Sequence, residues 1–138
     1  MAIDQNNADL IIRLETAIEG SDDLDVALLT ALGWHDEGGI WWRRPVEPRE
    51  WQIAPPITTS QDAITREIEA RGHYVSQISK ENLREPYCAV VSFDHDEPKD
   101  VVWSRAFTGE HNNIVLALCI ALLNEAIYAA KVSNGSHF

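Results

Sequence analysis

Apolar residues at the start of the chain recur at helical spacing. Leu10, Ile11, Leu14 and Ile18 share one side, with Arg13, Glu15 and Glu19 opposite, which predicts an amphipathic helix over 9–19. Gly20-Ser21 breaks it. A second helix follows, with Ser21 as N-cap, Asp22 and Asp23 at its positive end and Leu24, Leu28, Ala31 and Leu32 as its buried stripe. Gly33 supplies its stop. Thr59-Ser60-Gln61-Asp62 fits a capping box in which Asp62 stands for the usual Glu. It opens a third helix over about 60–71, with Ala63, Ile64 and Ile68 inward and Gly72 as its end.

The periodicity between and after these helices is that of strands. Gly38-Gly39 leads into Ile40-Trp41-Trp42-Arg43-Arg44, and Pro45, Pro48, Pro55 and Pro56 make 45–57 extended and irregular. Further strands are expected over 73–78, 87–93 and 101–107, the last two joined as a hairpin through 94–100. A long helix over about 112–131, capped by Asn112 or Asn113, closes the chain. It is apolar on most sides, as befits a central core element or a subunit interface. The ends, 1–8 and 132–138, are expected to be flexible. The expected fold is α+β: a small, mostly antiparallel sheet of about four strands covered by helices, in the order α-α-β-α-β-β-β-α.

A chain of 138 residues, 45% hydrophobic and 24% charged, suits one globular domain. No uninterrupted apolar span and no signal-peptide pattern is present, which points to the cytoplasm. Cys88 and Cys119 both sit in apolar runs and read as reduced core thiols. The net charge of -11 argues against direct binding of nucleic acid. Residues 1–69 hold 14 acids and 5 bases, so an acidic face should lie mainly on the N-terminal elements.

The most chemically loaded stretch is Trp41-Trp42-Arg43-Arg44, with Arg49 and Trp51 nearby. Trp stacks on nucleobases, and the planar guanidinium of Arg grips phosphate. Alternation along a strand puts Trp42 and Arg44 on one face and Trp41 and Arg43 on the other, so one pair can meet a ligand while its neighbour supports the core. The helix starts at Thr58-Thr59-Ser60 and at His111-Asn112-Asn113 add anion-attracting walls, although ordinary capping also explains these residues. His35-Asp36-Glu37 and His95-Asp96-Glu97 hold metal-ligand types in expected turns, where such residues are common without a metal. No nucleophile elbow surrounds Ser60, and no glycine-rich phosphate loop occurs.

Five segments together resemble the phage ABA sandwich domain family, small proteins of bacteriophages and prophages. They are Leu-Ile-Ile-Arg-Leu-Glu-Thr-Ala at 10–17, Leu24-Asp25 leading to Leu32-Gly33-Trp34, Trp41-Trp42, Pro56-Ile57-Thr58-Thr59-Ser60-Gln61-Asp62-Ala63, and Ala117-Leu118-Cys119-Ile120-Ala121-Leu122-Leu123. The resemblance spans about 10–130. It departs where members carry Pro-Glu-Gly-Trp after the third helix, since this chain has Ile68-Glu69-Ala70-Arg71-Gly72-His73-Tyr74. It implies an α-β-α sandwich and a phage setting, and it transfers no catalytic residue.

The residues and the resemblance together lead to an expected function. It is a non-enzymatic binding protein, free of cofactor, that sequesters a small nucleotide-derived signal and so counters host defence. The expected ligand residues are Trp41, Trp42, Arg43, Arg44, Arg49, Trp51, Thr59, Ser60, His111 and Asn112. A homo-oligomer is expected as well. The alternatives are an acidic inhibitor of a host defence protein, in the manner of a nucleic-acid mimic, and, ranked last, a metal-dependent hydrolase built on the two His-Asp-Glu turns.

Overall fold

Backbone hydrogen bonding in the computed structural model defines four helices and six strands among the described residues, 2–38, 41–45, 51–80, 86–96 and 102–135. They run α1 (Ala2–Thr16), α2 (Asp22–Ala31), β1 (His35–Gly38), β2 (Trp41–Arg43), β3 (Trp51–Ile53), α3 (Gln61–Ala70), β4 (Tyr74–Ser79), β5 (Tyr87–Asp96), β6 (Val102–His111) and α4 (Ile114–Gly135). The fold is α+β, as the periodicity indicates. Its strands form two antiparallel three-stranded sheets, β1-β2-β3 and β4-β5-β6, where the sequence suggests a single sheet of about four.

The helices follow the sequence pattern closely. Leu10 and Leu14 of α1 are buried, as are Leu24, Leu28 and Leu29 of α2 and Ile64 and Ile68 of α3. The Ser21 and Ser60 hydroxyls accept from the backbone N–H of Leu24 and Ala63, each at 3.2 Å, and cap α2 and α3. Gly33 and Gly72, at φ 94° and 83°, end those helices in the left-handed region. Asn113, not Asn112, caps α4, its Oδ1 accepting from Val115 and Leu116. Two expectations fail at helix ends. Ile18 is 90% exposed because α1 stops at Thr16, before the stripe reaches it. The helices also extend outward to Ala2 and Gly135, over segments expected to lie outside them.

The small sheet departs most from expectation. Gly38, at φ 101°, belongs to a hairpin between β1 and β2 and does not merely open a strand. β1 reads His-Asp-Glu-Gly, with no apolar alternation to reveal it, and is held by backbone pairing with β2. β3 lies in the proline-rich stretch expected to be irregular, and pairs Trp41 with Ile53, Trp42 with Gln52 and Arg43 with Trp51.

The β5–β6 hairpin forms as expected, and α4 lies across this second sheet. The approach is close at Gly109, where an added Cβ would stand 2.1 Å from the Ala117 carbonyl oxygen. The other three helices gather around α4, which is why Val115–Leu123 is buried on every side. The all-round apolarity of α4 is thus accounted for within one chain. The layers run sheet, α4, then α1 to α3, in place of helices on both faces of the sheet. Tyr74, Gln77, Thr108 and Glu110 lie exposed on the sheet face turned from α4. Cys88 shares that face and is half-buried, in contrast to the core position its apolar run suggests. Cys119, on α4, is fully buried as expected.

Candidate functional site

Alternation along β2 sorts the Trp/Arg cluster as the sequence predicts. Trp42 points inward, 6% exposed, in the core. Trp41 and Arg43 point outward with Trp51 of β3. Arg44 follows Trp42 to the inner side and there meets a carboxylate that the sequence reading did not single out. The Arg44 Nη2 donates to Glu67 Oε1 at 3.2 Å, and its guanidinium lies 5.3 Å from the Trp34 ring centre. The Trp34 indole N–H donates to Glu67 Oε2 at 3.0 Å, and Arg71 Nη1 stands 3.7 Å from the same oxygen while donating to the Leu32 carbonyl.

Glu67 is 2% exposed, so its charge needs these partners. The cluster nevertheless holds two guanidinium groups for one carboxylate. The Nε atoms of both Arg44 and Arg71 are buried with no hydrogen-bond partner among the described residues. Among the described residues, a second guanidinium and unspent donors therefore sit beneath the surface at this point.

Above the cluster opens a cavity of about 400 Å³. It is lined by Trp34, Arg44 and Glu67, by Gln52 from β3, by Pro55 and Pro56, and by Ser60, Asp62, Ala63 and Arg66 at the start of α3. That volume lies within the range of small-molecule sites. Arg66 adds a second cation to its wall, and Asp62 and Glu67 offer carboxylates. Arg44 also borders a neighbouring hollow of about 380 Å³ with Gly33, His35, Glu37, Arg43 and Pro45.

The remaining expected site residues are dispersed. Thr59 is exposed, and its hydroxyl donates to the Pro56 carbonyl. Thr58 turns inward, its N–H and hydroxyl both donating to Asp25 Oδ1, at 2.8 and 2.5 Å. Burial pushes the Asp25 carboxyl up from its ordinary value, the Thr58 hydrogen bonds oppose that rise and Asp22 adds to it. Burial likewise pushes the Cys119 thiol far up, with Asp25 adding to the effect, and the thiol donates to the Ile57 carbonyl at 3.2 Å.

His111 lies 2.7 Å from the Ala17 carbonyl through Nε2 and accepts from the Asn113 N–H through Nδ1. That pair of bonds fixes the neutral tautomer with its proton on Nε2 and spends both ring nitrogens on the fold. His111 and exposed Asn112 border a separate hollow with Glu15 and Glu110, away from the residues around Glu67. Arg49 lies outside the described residues.

The two His-Asp-Glu stretches start in different sheets, and Glu97 lies outside the described residues. His35, Asp36 and Glu37 are exposed on β1, and His95-Asp96 ends β5. Among the described residues no group of three His, Cys, Asp or Glu stands together as metal ligands. No helix among them is long and apolar enough to cross a membrane.

Sequence reasoning found Arg44 and Ser60 and missed Trp34, Gln52, Arg66, Glu67 and Arg71. One signal was there to read: Glu67 and Arg71 continue the inward stripe of Ile64 and Ile68, and a charge in a buried stripe demands a partner. Comparison with protein-family models, with curated proteins and with solved structures found no match.

Proposed function

We propose that this chain is a phage-encoded, non-enzymatic binding protein that sequesters a small nucleotide-derived anion in the cavity between β3 and the start of α3. The observation that carries the reading is the pair of guanidinium groups in the buried Arg44–Glu67–Arg71 cluster, which reaches the cavity through Arg44. A phosphate there would pair with the guanidinium of Arg44, which Glu67 shares with Arg71, and Arg66 on the wall supplies a second guanidinium. The carboxylate of Asp62 suits the amino and imino donors of a base. The phage setting and the role against host defence rest on the family resemblance.

The test is a thermal melt of the protein with a panel of nucleotides and cyclic nucleotides, followed by recovery of the ligand. A binder of the native state raises Tm by mass action. One compound should shift Tm and come back intact, and Arg66→Ala, an exposed position, should remove the shift without lowering the melt of the free protein. A compound returned cleaved would replace sequestration with catalysis. No shift with any compound would refute the cavity reading.

A second reading has its own support. Glu15, Glu19, Asp22 and Asp23 are all exposed around the α1–α2 connection, with Ile18 among them. Such a face fits a basic partner protein. Reversing the charges of Asp22 and Asp23 would abolish that interaction and leave the cavity untouched. Asp25 is excluded from the test because it is buried and bonded to Thr58.

A further inference from the structure

The outer face of the small sheet is the least expected surface of the molecule. Trp51 is 62% exposed, Ile53 61% and Trp41 45%. The register makes them neighbours: Trp41 stands opposite Ile53, and Arg43 lies between His35 and Trp51. Isolated apolar residues on a surface are ordinary, but two Trp and an Ile in adjoining rows are not. A Trp side chain carries roughly 200 Å² of surface, so the two together leave on the order of 200 Å² of aromatic area in water. That is the scale of the buried centre of an interface of roughly 800 Å² per partner.

The charges on this face narrow the occupant. Arg43 and Glu37 sit side by side and are only loosely paired, at 3.9 Å, with both partly exposed. Among the described residues the patch thus offers one cation and one anion, Arg43 and Glu37, beside its aromatic centre. A surface of that kind is complementary to itself, which is the requirement of a two-fold interface. Among the described residues of this face a polyanion gains Arg43 alone, and it faces a chain of net charge -11.

We propose that this face binds a second copy of this chain, as a symmetric pair. Trp41, Trp51 and Ile53 of the two protomers form its centre, and Arg43 of each re-pairs with Glu37 of the partner subunit. The inference is independent of the ligand reading, because the cavity opens on the inner side of the sheet, where Gln52 and Arg44 point.

The salt dependence of the pairing follows from the charge. Two copies at -11 repel each other over distances that salt screens, while apolar burial persists. Association should therefore tighten as salt rises, opposite to the behaviour of a charge-driven partner.

Sedimentation velocity of the full chain, over about 1–100 μM protein and at roughly 0.05 and 0.5 M salt, tests this. The expected result is a monomer–dimer equilibrium that shifts to dimer in high salt. Trp51→Ser and Ile53→Ser, both at exposed positions, should each weaken it roughly tenfold or more. Circular dichroism and Tm extrapolated to low concentration should stay unchanged. A wild-type chain that is monomeric throughout would overturn the proposal and leave the face to a foreign partner. So would a dimer that survives the Trp51→Ser, Ile53→Ser double variant, since another face would then hold it.

Discussion

Three carboxylates are buried among the described residues, Asp25, Glu67 and Glu125, and the first two are held by different chemistry. Glu67 is ringed by two guanidinium groups and an indole N–H, so its charge is matched by opposite charge. Among the described residues Asp25 accepts from the neutral donors of Thr58, and these do not repay its burial, so its carboxyl is held above the ordinary value. The folded state thus binds the Asp25 proton more tightly than the unfolded chain does. Stability from this group is fully present below the ordinary Asp value of about 4 and is lost as pH rises through the higher folded value. Asp25→Asn keeps an acceptor for Thr58 and removes the titration. Melts across pH 4 to 7 should show wild type gaining on the variant as pH falls. A constant difference between the two would show that Asp25 does not titrate in that window.

At the same scale, legibility depended on distance along the chain. Ser60 and Arg44 stood out because their roles follow from their immediate neighbours, a helix start and a strand. Trp34 and Glu67 did not, because they meet only across 33 residues. The same holds for Asp25 and Thr58. Asp25 looked like one more acid on an acidic helix until the loop carrying Thr58 came down upon it.

Among the elements, α4 shows how closely one residue can set a contact. Gly109 of β6 allows the helix backbone to come near, and a Cβ there would also stand 2.6 Å from the Ala121 nitrogen. Neither contact involves a side chain that can swing away. Gly109→Ala should therefore push α4 from the sheet and cost roughly 2–3 kcal/mol. Chemical denaturation would measure it, and a loss under about 0.5 kcal/mol would show that the helix shifts freely.

Helices were the readable elements, because the 3.6-residue period, the caps Ser21 and Ser60 and the stops Gly33 and Gly72 are local signals. The short strands were not. β1 carries four exposed residues and β3 two, on either side of half-buried Gln52, and neither has a buried face long enough to impose a period of two. Their existence is owed to partners: β2 pairs with both, and Trp42 anchors the sheet to the core.

Across the whole molecule, the layer order decides which groups meet solvent. Cys119 lies within α4, under the other helices, while half-buried Cys88 lies on the face of the large sheet turned from α4, opposite Glu110. A thiol reagent should label Cys88 in the native protein and Cys119 only after unfolding, because burial both shields Cys119 and keeps it protonated. Labelling followed by peptide mapping reads this directly. Equal rates at the two positions would mean that the helical layer opens readily.

The sequence by itself determined the α+β class, the helices with the caps Ser21 and Ser60, and the sorting of Trp41 from Trp42. All of these follow from local periodicity and from the geometry of one residue beside the next. Only the tertiary structure decided that the strands split into two sheets, that the helices stack on one side, and that Arg44 meets Glu67. The physical reason is common to all three. Each depends on groups far apart in the chain, whose charge, hydrogen bonds or apolar surface find a partner only when the core forms.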